Sequence, residues 1–101
     1  MFARNVSIRL KPDTLAEFNQ TVEREVIPFL RTQKGFQDEV TFAVPSGTTV
    51  VAISFWDSQQ NAEAYDHAGY PEVLKALGKV LDGVPRVQSS DVRSSGHQGK
   101  S

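Results

Sequence analysis

The chain has 101 residues, no cysteine, and 11 basic and 12 acidic side chains interspersed to a formal net charge of −1. That length suits one modest core, burying roughly 60–65% of the unfolded surface, and the mixed charge argues against a nucleic-acid partner. Without thiols there are no disulfides, thiolate nucleophiles or thiolate metal sites, and no apolar run approaches the roughly 20 residues that span a bilayer, so a cytoplasmic protein with no membrane partner is expected.

From Phe2 to Lys11 the apolar residues Phe2, Val6, Ile8 and Leu10 alternate with Ala3, Asn5, Ser7 and Arg9, the period of a strand with one buried face, interrupted only by Arg4. Pro12 ends this strand. Thr14-Leu15-Ala16-Glu17 has the form of a capping box, which predicts a helix starting there. Leu15, Phe18, Val22, Val26, Phe29 and Leu30 form its apolar stripe, and Gly35 is the expected stop. Pro28 lies inside the pattern and cannot donate to the carbonyl of Arg24, which predicts a kink.

Two strands follow, with Val40, Phe42 and Val44 alternating on one and Val51, Ile53 and Phe55 on the other, joined by Pro45-Ser46-Gly47-Thr48 as a hairpin loop. Asp57 or Ser58 is placed to cap a short helix through Ala62, Tyr65 and Ala68. After Gly69, Pro71 suits the first turn of another, carrying Val73, Leu74, Leu77, Val80 and Leu81 and closed by Gly83. Pro85 to Arg93 reads as a weak final strand, in which Val87 and Val92 have opposite parity and suggest a bulge or bend. Residues 1–93 are therefore expected to form one domain and residues 94–101 a disordered polar tail.

The order β-α-β-β-α-β is the split βαβ arrangement, an α+β, ferredoxin-like fold with a four-stranded antiparallel sheet and its helices on one face. Assigning the more apolar side of every strand to the helices leaves Ala3, Asn5, Ser7, Arg9, Glu39, Thr41, Ala43, Val50, Ala52, Ser54 and Trp56 on the other face. That set is too mixed for a core and too apolar for solvation. A homodimer interface built from Ala3, Asn5, Ser7, Thr41, Ala52, Ser54 and Trp56 is the expectation.

Several segments now give the chain a family likeness from Phe2 to about Arg93. Ile8-Arg9-Leu10-Lys11-Pro12, Gln33-Lys34-Gly35-Phe36, and Ser54-Phe55-Trp56-Asp57-Ser58 followed by Ala64-Tyr65-Asp66-His67 resemble the antibiotic-biosynthesis-monooxygenase domain family of the dimeric α+β barrel superfamily. The resemblance implies a homodimer and, for members that are enzymes, oxygenation without metal or flavin, because a deprotonated phenol or quinol reacts with oxygen itself. The protein then supplies a pocket, a base and donors to the developing oxyanion.

On that reading His67 is the candidate base, Tyr65 and Tyr70 are candidates to orient a substrate hydroxyl, and Arg4 is a candidate to stabilise an anion, all four around the short second helix and adjoining sheet. Each has a plainer reading. His67 is then a surface residue, Tyr65 a core residue, Trp56 a packing or interface anchor, and Arg4 half of an ion pair.

A haem-degrading branch of the superfamily uses an Asn, a Trp and a His at positions that here hold Val6, Tyr65 and Lys75, which disfavours that chemistry. A metal site, an RNA-binding role and a nucleotide-binding loop lack the necessary residue patterns, and no cofactor is expected. Three functions stay open: a cofactor-independent monooxygenase acting on a small aromatic or enolisable substrate, a non-catalytic dimer binding a small apolar ligand, and a structural dimer. An empty space between sheet and helices that reaches His67 would separate them.

Overall fold

A computed structural model describes residues 1–45 and 48–93; the 94–101 tail and the Ser46-Gly47 centre of the hairpin loop lie outside the described residues. Strand β1 (Phe2–Arg9) leads into α1 (Leu15–Thr21), a π-helical segment (Val22–Val26) and α2 (Ile27–Leu30). Strands β2 (Phe36–Ala43) and β3 (Thr49–Trp56), helices α3 (Gln59–Ala68) and α4 (Tyr70–Leu77), and strand β4 (Arg86–Asp91) complete the chain. All pairings are antiparallel in the order β2-β3-β1-β4. This is the expected ferredoxin-like α+β fold. Among the described residues, no helix is long and apolar enough to cross a membrane.

Local chemistry explains most of the boundaries. The first helix starts where expected, but without the capping box: Thr14 Oγ1 donates to the Lys11 carbonyl at 2.7 Å and makes no bond to the helix start. The break forced by Pro28 is absorbed as a wide π turn rather than a sharp kink. Ile27 N–H reaches back five residues to the Val22 carbonyl, and Pro28, which has no N–H, follows at once. The wider turn keeps Val22, Val26 and Leu30, spaced by four, over the sheet, where all three are buried. The first helical stretch ends at Leu30 with Arg31 as its C-cap, ahead of the expected stop at Gly35. Gly35 instead adopts φ 83 in the turn before β2, and its carbonyl accepts the Asp57 N–H at 2.9 Å. Ser58 caps α3, accepting the Asn61 N–H at 3.2 Å.

The sheet register corrects one expectation. Phe2, Arg4, Val6 and Ile8 pair with Trp56, Ser54, Ala52 and Val50, and directly opposed residues share a face. Trp56, Ser54, Ala52 and Val50 therefore lie beneath the helices, not on the open face. A bulge between Phe36 and Asp38 puts Glu39, Thr41 and Ala43 on that same inner side, opposite Ser54, Ala52 and Val50. Of the seven residues expected at the dimer interface, Ala3, Asn5 and Ser7 are on the open face, while Thr41, Ala52, Ser54 and Trp56 are not.

The reversal has a physical cause. The open side of β2 and β3 carries Val40, Phe42, Val51, Ile53 and Phe55, the most apolar set in the sheet, and Phe42 is 55% exposed. Apart from Phe36 and Trp56 at one end, the inner side of the same strands carries smaller or polar groups, and large side chains from the helices fill most of the space above them. Trp56 is 0% exposed, stacked on Tyr65 with ring centroids 4.8 Å apart and met edge-on by Phe36 at 5.6 Å.

Candidate functional site

Small residues beneath the helices leave the packing incomplete in one place. Between the inner sheet face and the helical layer lies a cavity of about 50 Å³, floored by Arg4, Val6, Ile8, Glu39, Ala52 and Ser54. Its roof is formed by Phe18, Val22, Val26 and Leu30 from the first helical stretch and by Tyr65, Tyr70, Val73, Leu74 and Leu77 from α3 and α4. The π turn therefore contributes two wall residues. The lining is overwhelmingly apolar, so the few polar groups in it are conspicuous.

Arg4 is the first of these. It is 2% exposed, and its guanidinium carbon lies 4.5 Å from the Tyr70 ring centroid and 5.0 Å from that of Tyr65. Its Nη2 donates to Asp66 Oδ1 at 2.6 Å, and this carboxylate, 46% exposed, is its ion-pair partner. A guanidinium has five donors, so this contact leaves further N–H groups beside the two rings. The Tyr70 hydroxyl is buried and has no hydrogen-bond partner among the described residues, and burial raises its ionisation above the ordinary tyrosine value, with Arg4 lowering and Asp66 raising it. The Tyr65 hydroxyl is raised in the same direction, chiefly by burial.

Glu39 is the second charged group in the lining. Its Oε2 accepts from Thr41 Oγ1 at 2.7 Å, two residues along the same inner face. Burial raises its carboxyl above the usual range; the Thr41 bond lowers it and the Asp38 carboxylate raises it. Ser54 lies between the two charged groups in the row Glu39, Ser54, Arg4 across three strands, and it accepts the Trp56 indole N–H at 2.9 Å.

Arg4, Tyr65 and Tyr70 are therefore brought together as the sequence suggested. His67 is not. Helix α3 turns Ala62 and Tyr65 inward, and a residue two steps beyond Tyr65 points about 200° away, so His67 is exposed and outside the cavity lining. The sequence reading missed Glu39 and Ser54 because it placed them on the opposite face; pairing Phe2 with Trp56, the two bulky residues at strand ends, was the signal available to set the register.

Residues 1–77 match the antibiotic biosynthesis monooxygenase family. The chain belongs to that family. No curated protein matches it at a significant level. Solved structures of the same architecture include the ActVA-Orf6 monooxygenase of Streptomyces coelicolor in complex with the ligand nanaomycin D. That structure is 24% identical with a TM-score of 0.79, over 93% of this chain and 88% of the other. SnoaB of Streptomyces nogalater, a cofactor-independent oxygenase, is 18% identical with a TM-score of 0.75, over 93% and 94%. NE2512 of Nitrosomonas europaea, a protein of unknown function, is 14% identical with a TM-score of 0.77, over 93% and 90%. At these identities the likeness is one of fold, and this member of the antibiotic biosynthesis monooxygenase family has a monooxygenase-like or small-ligand-binding architecture.

Proposed function

We propose that the cavity between sheet and helices binds a small electron-rich aromatic or enolisable substrate as its anion, and that this anion is oxygenated there without a cofactor. The observation that carries the reading is Arg4: a guanidinium 2% exposed, set against two tyrosine rings in an apolar cavity. A buried cation whose counter-ion is half-exposed favours a delocalised anion beside it, and the rings supply flat surfaces on which an aromatic stacks. The unpartnered Tyr70 hydroxyl supports the same reading, since a ligand oxygen would satisfy it.

Oxygenation of an enolisable methylene balances without an external reductant: methylene and O2 give a carbonyl and water, with the substrate supplying the electrons. The chain's task is to hold the anion, exclude bulk water and neutralise charge as it moves to oxygen. The cavity of about 50 Å³ holds only a few waters, so entry of a ring requires the half-buried wall at Leu74 and Pro85 to move aside while Arg4 and Tyr70 stay in place to receive it.

We further propose a homodimer through the open sheet face carrying Val40, Phe42, Val51, Ile53 and Phe55, with Ala3, Asn5 and Ser7 alongside. The test of function is oxygen uptake with a panel of quinols and anthrones. The native protein and His67→Ala should turn over alike, and Arg4→Met should lose at least about tenfold. Ligand binding without oxygen uptake would replace the oxygenase with a non-catalytic binding module.

A further inference from the structure

Glu39 and Arg4 each belong to two spaces at once. Both line the inner cavity. Glu39 also borders an outer groove with Ile27, Arg31, Phe36, Gln37 and Asp38, along the β2 edge of the sheet. Arg4 also borders a groove on the other side of the cavity, with Phe2, Asp66 and the Ser89-Ser90 segment of β4. The two residues lie on one row across the sheet with Ser54 between them, their Cα positions two strand spacings or about 10 Å apart. The cavity is thus bracketed by a carboxylate at one end and a guanidinium at the other, and each end adjoins solvent.

Resting on the ligand class proposed above, we propose that Glu39 is the catalytic base of this cavity: it takes the proton from the hydroxyl of a conjugated substrate whose opposite end faces Arg4. In that step the substrate O–H bond breaks, the proton bonds to a Glu39 carboxylate oxygen, and the electron pair stays on the substrate as a phenolate or enolate. Conjugation carries the negative charge away from the carboxylate that formed it and towards the guanidinium. The proton leaves Glu39 to water through the outer groove, so the base regenerates without the substrate departing.

Several features of the site suit this role. Burial holds the carboxyl above its usual range, which brings a carboxylate closer to the proton affinity of an acidic phenol. Thr41 Oγ1, donating to Oε2, fixes the side chain. The ionisable groups around Glu39 are Asp38 on its own strand, Arg31 across the groove, and Tyr65, Tyr70 and Arg4 across the cavity. The two tyrosines keep their protons under the same burial and do not compete as bases. His67, the imidazole expected in this role, is outside the lining.

The test is the pH profile of oxygen uptake with a quinol. Below the substrate's own ionisation the native protein should turn over at least about tenfold faster than Glu39→Gln, which preserves the volume but accepts no proton, and Glu39→Asp should keep most of the native rate. Above that ionisation the substrate arrives as its anion, and native and Glu39→Gln should converge. Equal rates on both sides of the ionisation overturn the base and leave the oxygenase reading intact, as does a deficit of Glu39→Gln that persists unchanged where the substrate is already an anion. Absence of native turnover at every pH overturns the oxygenase reading and the base with it.

Discussion

Arg4 and Asp66 form an ion pair across the domain, with Nη2 and Oδ1 2.6 Å apart, in which the arginine side chain is 3% exposed and the aspartate 46%. The asymmetry dictates what happens when one partner is lost. Asp66→Asn leaves a buried guanidinium without a counter-ion, whereas Arg4→Met leaves a carboxylate that water solvates. Breaking a fully buried pair from one side costs about 3–5 kcal/mol, and the exposure of Asp66 reduces that to roughly 1–3 kcal/mol here. Denaturant unfolding should show this loss for Asp66→Asn and a large part of it recovered in the Arg4→Met/Asp66→Asn double variant.

Ser54 is the acceptor for the Trp56 indole N–H, at 2.9 Å, where Trp56 is 0% exposed. Ser54→Ala leaves that donor buried and unpartnered, and should destabilise by roughly 1–3 kcal/mol. Equilibrium unfolding followed by the fluorescence of Trp56, the chain's single tryptophan, measures it directly.

Gly35 holds φ 83, and a Cβ built on it would lie 2.4 Å from Asp57 Oδ1 and 2.6 Å from Asn61 Nδ2. Gly35→Ala therefore combines left-handed strain with displacement of the Asp57–Asn61 hydrogen bond that closes the start of α3. We expect a loss of roughly 1–3 kcal/mol in thermal or chemical unfolding.

The two tyrosines give a pH signature. Both ionise above the ordinary value of 10.0 because burial disfavours the phenolate. A folded-state value raised above the unfolded one contributes stability that is complete below about pH 10 and is lost as the pH rises towards the folded-state values. Ultraviolet titration should therefore show tyrosinate appearing together with loss of the fold, rather than as a separate earlier step.

The open sheet face yields a prediction about assembly. Lysine at Ile53 or Phe42 places a charge in the centre of the apolar patch, and a two-fold interface repeats it on both sides. Light scattering should find the native protein dimeric and Ile53→Lys monomeric at the same concentration, a weakening of tenfold or more.

The legible and illegible parts of this molecule divide along a physical line. Element order, Ser58 and Pro71 were readable because each acts through its immediate neighbours in the chain, whereas the first helix stops at Leu30, ahead of the expected Gly35. The faces of β2 and β3 were not readable, because the criterion that the more apolar side meets the helices holds only when one face of a sheet is buried. Here Val40, Phe42, Val51, Ile53 and Phe55 point away from the helices, and Ala52, Ser54 and Glu39 point towards them. The bulge after Phe36 has no local sequence mark either, and it alone decides that Glu39 faces inward. Arg4, Tyr65 and Tyr70 were found because an arginine in an apolar series and two tyrosines near a helix junction are chemically distinctive wherever the register falls. His67 was chosen for its chemistry, and helical geometry turned it outward.

The central claim, that an aromatic anion lies between sheet and helices beside Arg4, is tested most directly by chemical-shift mapping with a hydroxyaryl ligand. Perturbations centred on the Arg4 guanidinium, the Ala52 methyl and the Tyr70 ring are the predicted result. Perturbations centred on the outer surface around His67, or confined to the open sheet face, would contradict it.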